Sequence, residues 1–438
     1  MAFSSQLMMG QRATALVSDP SFLAKALLIT FLCQLCLYYA DFYDFSAVAD
    51  VPDTVIRLMG SLGVTSLLLA VLYFWFPTLI PGRGVFVLAS GLAIAFVAGW
   101  RVGFIWLTSR VGPRERLLIV GTKPGAVALA RELIARRLEF GVEIVGFVEP
   151  EAGCLACGVP TPGVIGEIDD IPRLVEERKV DRVVVSLADA RGKLPMDALL
   201  TMKLNGVTFD HLASVYEEYT GKIALENLRP SWLIFSSGFR KPAMFVFSKR
   251  ALDITAASIG LVLASPLMAI VALAVKLTSK GPVLYHQQRT GLNGRPFTVH
   301  KFRTMCQDAE AKTGPTWATA ADPRITRVGA FLRKTRLDEV PQLWNVLCGE
   351  MSVVGPRPER PEFVRELTEQ IPYYGQRHSV KPGVTGWAQV RYTYGASIED
   401  TMEKLQYDLF YIKNASIGLD LFVLFTTVKI VLLRRGAR

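Results

Sequence analysis

The sequence predicts a membrane protein of the α plus α/β class. Amino-terminal transmembrane helices precede a Rossmann-like α/β domain and a carboxy-terminal α/β domain with much irregular structure. Hydrophobic residues make up 51% of the 438 residues, which exceeds the usual share in soluble domains. Long charge-free stretches occur in the first quarter of the chain and again after its middle. Between them, short apolar runs alternate with helical patterns, as they do in parallel α/β sheets.

Three apolar segments within residues 1–112 predict three transmembrane helices, because about 20 apolar residues are enough to cross a bilayer. They cover 22–40, 58–80 and 84–109, and the second segment contains no charge. A basic cluster accompanies the end of the third segment, at Arg101, Arg110, Arg114 and Arg116. The positive-inside rule places this end in the cytoplasm. Three spans then place the amino terminus outside.

Residues 113–240 predict a Rossmann-like domain. The runs "RLLIVG", "VEIVGFVEP" and "DRVVVSLAD" are typical of buried strands, and helical patterns separate them. The turn "GTKPG" supplies Gly121 and Gly125 but lacks the complete G-x-G-x-x-G fingerprint of dinucleotide sites. An empty or regulatory domain and a nucleotide-binding domain therefore both remain open. Cys154 and Cys157 form a single CxxC, and zinc needs about four ligands, so we expect free thiols.

A second kind of membrane segment covers 250–277, where the 22 residues of 254–275 carry no charge. Both of its flanks are basic, with Lys249 and Arg250 before it and Lys276 and Lys280 after it. The positive-inside rule therefore favours two cytoplasmic ends. Ser265 and Pro266 stand at the centre, and proline inside a straight helix costs about 3 kcal/mol. We predict a re-entrant helix that breaks at Ser265-Pro266; a proline-kinked span is the alternative.

The net charge of +10 favours anionic partners, and in a membrane chain these are lipids and phosphorylated ligands. No helix-turn-helix, zinc-finger or RNA-binding signature occurs, so we expect no nucleic acid partner. The last stretch, "LDLFVLFTTVKIVLLRRGAR", has eight uncharged residues between Asp420 and Lys429. This is too short to span a bilayer, and it predicts a basic helix lying in the membrane interface.

Adjacent acids in "LRKTRLDEVPQLWN" are the candidate catalytic residues. Pro341 is tolerated only in the first turn of a helix, so we expect a helix to begin near Asp338. The free N–H groups of such a start bind phosphate. Asp338 is ionised at neutral pH and needs no base to act as a nucleophile. Asp338 and Glu339 are also hard oxygen ligands that suit Mg²⁺. An exposed helix start with a capping acid is the alternative.

Several basic residues in short, proline-rich or glycine-rich segments favour phosphate binding. Arginines held in such turns suit bidentate contacts to phosphate better than mobile surface charges do. The main candidates are Lys301 and Arg303 in "VHKFRTM", Arg333 in "LRKTR" and Arg357 in "GPRPER". Further basic residues occur nearby, at Arg324, Arg327, Arg377, His378 and Lys381.

The ordered motifs "SKRALDI", "ASPLMA", "HKFRTM", "LRKTRLDEVPQLWNVLCGEMSVVGPRPERPEF" and "KPGVTGWAQV" resemble the bacterial sugar transferase family over residues 248–438. These enzymes are monotopic phosphoglycosyl transferases. With the upstream helices and Rossmann-like domain, the chain is similar to the large, exopolysaccharide-associated branch. The resemblance implies a monotopic catalytic domain at 247–438, on the cytoplasmic face of the bacterial inner membrane. It implies transfer of a sugar 1-phosphate from a UDP-sugar to undecaprenyl phosphate, which initiates an exopolysaccharide repeat unit.

The resemblance also implies residue roles. Asp338 matches the nucleophile that forms a phosphosugar-aspartyl intermediate and expels UMP, and Glu339 matches the partner acid, assigned to Mg²⁺. Lys301, Arg333 and Arg357 match positive positions near the phosphates, and Ser265-Pro266 matches the break of a re-entrant helix. Large members usually have four amino-terminal spans, and this sequence predicts three, so the topology of that region is left open.

Two rival functions come from other readings of the chain. A nucleotide-sugar dehydratase or reductase would use the Rossmann-like range, which lacks the glycine fingerprint and any Tyr-x-x-x-Lys. A membrane scaffold or regulator of polysaccharide export would need no catalysis, with the acids serving as a surface helix cap. The sequence leaves open which sugar is used and whether the protein is a homo-oligomer.

Overall fold

The structure is a computed structural model. It describes residues 20–40, 51–79, 115–136, 140–149, 159–185, 195–225, 236–306, 324–392 and 397–432, together with positions 96, 99, 100, 103 and 322. The chain divides into two compact units, Met1–His211 and Leu212–Arg438.

The first unit begins with two helices, α1 (Pro20–Tyr39) and α2 (Val51–Trp75), which pack against each other. These helices confirm the first two predicted helical segments, although α2 begins seven residues before the predicted start at 58. The third predicted segment and the CxxC of Cys154 and Cys157 lie outside the described residues, apart from isolated positions in the former.

A parallel five-stranded sheet follows, with strand order β3-β2-β1-β4-β5. Its strands are β1 (Glu115–Val120), β2 (Val142–Glu149), β3 (Val164–Glu167), β4 (Arg182–Val185) and β5 (Thr208–His211). The helices between them are α3 (Pro124–Ala135), α4 (Ile171–Arg178) and α5 (Met196–Leu204). Buried aliphatic side chains such as Leu118 and Val183 form the core. The predicted parallel α/β sheet is confirmed.

The second unit begins with α6 (Leu212–Thr220), which packs against the carboxy-terminal part of the chain. Lys413 forms an ion pair with Glu217 at 2.6 Å. The Trp387 indole N–H donates to the Gly221 carbonyl at 2.8 Å, and Ile223 is buried. These contacts attach residues 212–225 to the second unit, whereas the sequence pattern assigned them to the Rossmann-like range.

Helix α7 (Ala243–Thr278) is one continuous helix of 36 residues with Pro266 inside it. The expected break between two helices at Ser265-Pro266 is therefore not present in the backbone. Pro266 has no N–H for the carbonyl of Val262, and the Ser265 hydroxyl donates to that carbonyl instead, at 2.8 Å. This replacement explains how the helix continues through the proline.

One face of α7 packs on the second unit near both of its ends, and the other face is apolar and exposed. Asp253, near the first end, accepts hydrogen bonds from the Ser352 hydroxyl and the Val353 N–H. Val271 and Val275, near the other end, pack in a cluster with Phe302. Among the described residues, α7 and the Leu58–Trp75 part of α2 are long and apolar enough to cross a membrane.

The remaining elements surround a core that includes Val299, Trp387 and Tyr411. An antiparallel hairpin is formed by β6 (Leu284–Thr290) and β7 (Pro296–Phe302), and a short parallel pair by β8 (Ser352–Val354) and β9 (Gly383–Thr385). The helices are α8 (Arg327–Thr335), α9 (Gln342–Cys348), α10 (Pro361–Gln370), α11 (Trp387–Arg391), α12 (Ile398–Asn414) and α13 (Ile417–Leu432). The sequence predicted α13 as a helix in the membrane interface; its helical state is confirmed, and its place in the interface stays a prediction.

Candidate active site

The two candidate acids lie in a short 3-10 turn, Leu337–Glu339, between α8 and α9. Arg336 adopts a left-handed conformation with φ of 59° and ends α8, so the chain turns just before the acids. The N–H of Glu339 donates to the Arg336 carbonyl at 3.2 Å. A 3-10 helix thus begins at Leu337, near Asp338 as expected, whereas the α-helix α9 begins later, at Gln342.

Glu339 is held by basic residues from two other elements. Arg357, which follows β8, donates to both carboxylate oxygens, with Nη1 at 3.3 Å from Oε2. Lys301 on β7 donates to Oε1 at 3.2 Å. Burial opposes ionisation of Glu339, but Arg357 and Lys301 outweigh it and hold its pKa well below the usual range. Glu339 is therefore an anion that fixes two cations in place.

Asp338 has a different environment from Glu339, although the two residues are adjacent in sequence. Asp338 is 8% exposed, and within the described part of the chain its buried Oδ1 has no hydrogen-bond partner. Burial, together with the negative charge of Glu339, raises the pKa of Asp338 to about 6. The carboxylate therefore remains mostly ionised at neutral pH. A buried anion with an unpaired oxygen is suited to act as a nucleophile.

The other two predicted phosphate-binding residues, Arg333 and Arg303, have different partners from Lys301 and Arg357. The Arg333 Nε donates to the Thr304 hydroxyl at 2.9 Å, and its positive charge acts to lower the pKa of Asp338. Arg303 donates through Nη2 to the carbonyl and the hydroxyl of Ser279, both at 2.8 Å. The structure thus brings Lys301, Arg357 and Arg333 around the acid pair, and directs Arg303 towards the end of α7.

Several further basic residues from the sequence are paired within the fold. Arg324 forms an ion pair with Asp322 at 2.6 Å, and buried Arg377 pairs with Asp408 at 2.8 Å. Arg377 also donates to the carbonyl of Arg357 at 3.0 Å. It therefore positions Arg357. Burial and the neighbouring Arg377 charge lower the pKa of His378 to about 4, so this imidazole is neutral.

Sequence reasoning missed Arg289 on β6. Its Nη1 donates to the Pro358 carbonyl at 3.1 Å and lies 3.4 Å from a Glu359 carboxylate oxygen. These contacts tie the "GPRPER" segment, and with it Arg357, to the hairpin that carries Lys301. The arginine in "QQRTG" has no distinguishing pattern in the sequence, because its role depends on a contact between segments 69 residues apart.

The donor atoms fit a hard divalent cation only in part. Among the described residues, no group of three or more His, Cys, Asp or Glu side chains is arranged to hold a metal ion. Mg²⁺ is commonly bound by one or two carboxylates with water and substrate phosphates, so such a group is not required. The unpaired Asp338 Oδ1 suits this cation. Both Glu339 oxygens already accept hydrogen bonds, so Glu339 would have to exchange a partner.

Comparison with known proteins relates this geometry to a family. Residues 244–434 match the family model described as bacterial sugar transferase. The undecaprenyl-phosphate glucose phosphotransferase of Komagataeibacter xylinus is 32% identical over 451 residues, covering 92% of this chain and 83% of that protein. The UDP-glucose:undecaprenyl-phosphate glucose-1-phosphate transferase of Escherichia coli K12 is 35% identical over 346 residues, covering 75% of this chain and 70% of the relative.

A third relative names another sugar. The UDP-N-acetylgalactosamine-undecaprenyl-phosphate N-acetylgalactosaminephosphotransferase of Aeromonas hydrophila is 44% identical over 229 residues, covering 52% of this chain and 53% of that protein. All three names include undecaprenyl phosphate, and two of them include a UDP-sugar. The sugar differs, being glucose in two names and N-acetylgalactosamine in the third.

Proposed function

This chain belongs to the bacterial sugar transferase family, and on that premise we propose that it transfers a sugar 1-phosphate from a UDP-sugar to undecaprenyl phosphate. Two relatives that align with most of this chain are named for this type of transfer. The observation that carries the proposal is the environment of Asp338. This buried carboxylate has an oxygen without a partner in the described part of the chain, and it lies beside a carboxylate held by two cations. Both acids are buried, which argues against a scaffold protein with a surface cap.

The reaction proceeds in two displacements at phosphorus. An oxygen of the Asp338 carboxylate attacks the phosphorus that carries the sugar. The bond from this phosphorus to the bridging oxygen breaks, and UMP leaves with that oxygen and the electron pair. An oxygen of undecaprenyl phosphate then attacks the same phosphorus, and the Asp338 carboxylate departs unchanged. A covalent intermediate lets a soluble and a bilayer substrate use one site in turn.

The surrounding residues stabilise the charge that develops during these steps. Lys301 and Arg357 are fixed by Glu339, so their positive charges are in place before the diphosphate arrives. The charges of Lys301, Arg357 and Arg333 all lower the pKa of Asp338 and so favour the ionised nucleophile. Mg²⁺ would be held by Asp338 and, after exchange of a partner, by Glu339. When bound, the cation would neutralise negative charge on the diphosphate.

The setting of this reaction is the cytoplasmic face of the bacterial inner membrane. The two apolar helices long enough to cross a membrane support this location, as does the lipid acceptor. The product would initiate an exopolysaccharide repeat unit. Both ends of α7 pack on the same compact unit, which supports the re-entrant topology over a span with its ends on opposite sides.

The assay that tests this function measures UMP released from UDP-glucose and UDP-N-acetylgalactosamine, with and without undecaprenyl phosphate and Mg²⁺. We expect multiple turnovers only with the lipid phosphate and Mg²⁺, and a preference for one sugar. Glu366→Gln, at an exposed position of α10, is a control that should retain full activity. Failure of every UDP-sugar in a panel to release UMP from folded, membrane-reconstituted protein would contradict the proposal.

A further inference from the structure

Arg303 is a buried cation whose hydrogen-bonding capacity is only partly used. It is 7% exposed, and its Nη2 donates to Ser279. Within the described residues, the buried Nε and Nη1 atoms have no acceptor. Leaving donors of a buried charged group unpaired is costly, more so than for neutral groups. The unpaired donors therefore indicate a place for an anionic ligand.

The geometry of the Arg303 guanidinium restricts the chemical class of this anion. Arginine offers donors in a rigid planar fork, which matches pairs of oxygen atoms on phosphate. A phosphate group with a charge near −2 would satisfy both unpaired donors and the charge of this guanidinium. Arg333 contacts the next residue in the chain, with its Nε donating to the hydroxyl of Thr304.

The location of Arg303 relative to α7 indicates the source of this phosphate. Ser279, its partner, directly follows the last residue of α7. Leu277 is 76% exposed and apolar, and Lys276 and Lys280 flank this end. Basic residues at the end of an apolar segment lie at the level of the lipid headgroups. A phosphate attached to a polyprenyl chain reaches the protein at this level.

Lys301 and Arg357 have a different partner from Arg303. Lys301 and Arg357 both contact Glu339, and their charges also act on Asp338. Arg303 instead contacts Ser279 at the end of α7, and neither acid is among its hydrogen-bond partners in the described part of the chain.

We propose that Arg303 binds the phosphate of the polyprenyl acceptor, and that Lys301 and Arg357 serve the UDP-sugar. This assignment rests on the proposed function. In the second displacement, Arg303 holds two oxygens of the lipid phosphate while a third attacks the phosphorus bound to Asp338. The bond between that phosphorus and the Asp338 oxygen breaks, and the carboxylate is regenerated.

The test separates the two displacements in the full-length protein. UMP released in a single turnover from UDP-sugar without lipid reports the first, and transfer from the sugar-phosphorylated enzyme to undecaprenyl phosphate in phosphatidylglycerol vesicles reports the second. For Arg303→Gln we expect an unchanged UMP burst and a loss of transfer on the order of 10- to 100-fold, the effect of removing a hydrogen bond to a charged group. Arg303→Lys should recover part of the transfer rate.

Two comparison variants show whether the effect is specific to Arg303. Lys301→Gln should lower the UMP burst, and Arg365→Gln, at an exposed position of α10, should change neither step. A smaller UMP burst in Arg303→Gln would assign the phosphate to the UDP-sugar and overturn the proposal. If Arg303→Gln and Arg303→Lys both reduce the UMP burst and the transfer to lipid by the same factor, Arg303 has a structural role. That result would also overturn the proposal. If the wild-type protein releases no UMP, the proposed function itself fails.

Discussion

Asp338 and Glu339 are adjacent, yet their surroundings move their pKa values in opposite directions. Arg357 and Lys301 hold the pKa of Glu339 low against its burial, whereas burial and the Glu339 charge raise that of Asp338. Environments that separate the pKa values of two neighbouring acids assign them different tasks. The sequence predicted both acids and their cations from motif and charge. It could not show that an Asp338 oxygen lacks a partner among the described residues, or that Arg303 contacts Ser279, because both depend on side-chain placement.

Asp338→Asn should abolish UMP release by several orders of magnitude without lowering stability. The amide cannot form the acyl phosphate. Burying the ionised acid is unfavourable, since its pKa is raised from 3.8 to about 6. Removing that charge should therefore raise the free energy of unfolding, by up to about 3 kcal/mol at neutral pH. Activity and thermal unfolding in the same detergent test this. A folded Asn variant with wild-type UMP release would contradict the assignment.

The pH dependence of kcat/KM for UMP release should follow the ionisation of Asp338. The protonated acid is not a nucleophile, so activity should fall as the pH drops through about 6 and should level off above it. Arg333→Gln removes a positive charge that lowers the Asp338 pKa, and the midpoint should move to higher pH. Profiles from pH 5 to 8 measure both effects. A flat wild-type profile, or a downward move in the variant, would refute this prediction.

At the scale of elements, hydrophobic patterns predicted the helices and central strands but not every boundary. The four-residue strands β3 and β5 at the sheet edges are too short and too exposed to form clear apolar runs. A helical turn does begin near Asp338, but the sequence did not indicate that it is a 3-10 turn preceded by a left-handed Arg336, with the α-helix starting only at Gln342. The continuity of α7 through Pro266 depends on the Ser265 hydroxyl, which replaces the missing donor.

Helix α7 should have both ends on the cytoplasmic side. Asp253 near one end and Val275 near the other contact the same compact unit, and both flanks are basic. In a chain whose six cysteines are replaced by alanine, Phe247→Cys and Lys280→Cys should both resist an impermeant thiol reagent added from the periplasm. Both should react after lysis. Periplasmic labelling at one flank would establish a span.

Removing the Ser-Pro pair from α7 should change this topology. Replacing Ser265 and Pro266 together by leucine restores the backbone donor at position 266 and removes the central polar group, and we expect one flank to become accessible from the periplasm. The same labelling of Phe247→Cys and Lys280→Cys in this background is the measurement. Unchanged shielding of both flanks would show that packing on the second unit, and not the Ser-Pro pair, determines the topology.

Residues 212–225 should stabilise the catalytic unit. Ile223 is buried in a cluster with Leu405, and Glu217 pairs with Lys413. A chain starting at Leu212 should therefore unfold at a higher temperature than one starting at Phe247, because burial of one large aliphatic side chain contributes about 1.5–3 kcal/mol. Both should release UMP, since the acid pair and its cations lie beyond Phe247. Equal melting temperatures would contradict this role.

At the scale of the whole molecule, the chain combines a parallel five-stranded sheet with a second compact unit that carries the acid pair. The alternation of strand and helix patterns was enough to predict the sheet. Its order β3-β2-β1-β4-β5 requires crossover connections that hydrophobic patterns do not specify. The apolar helices, the basic flanks and the buried acids together fit an enzyme that joins a soluble donor to a lipid acceptor.

The most direct test of this account is a single-turnover measurement with UDP-sugar and Mg²⁺ in the absence of undecaprenyl phosphate. We predict release of UMP in an amount equal to the enzyme, and a matching mass increase of one sugar phosphate on the peptide that contains Asp338. Asp338→Asn should show neither signal. If UMP is released only when both substrates are present, and no mass is added to the protein, the covalent mechanism is contradicted.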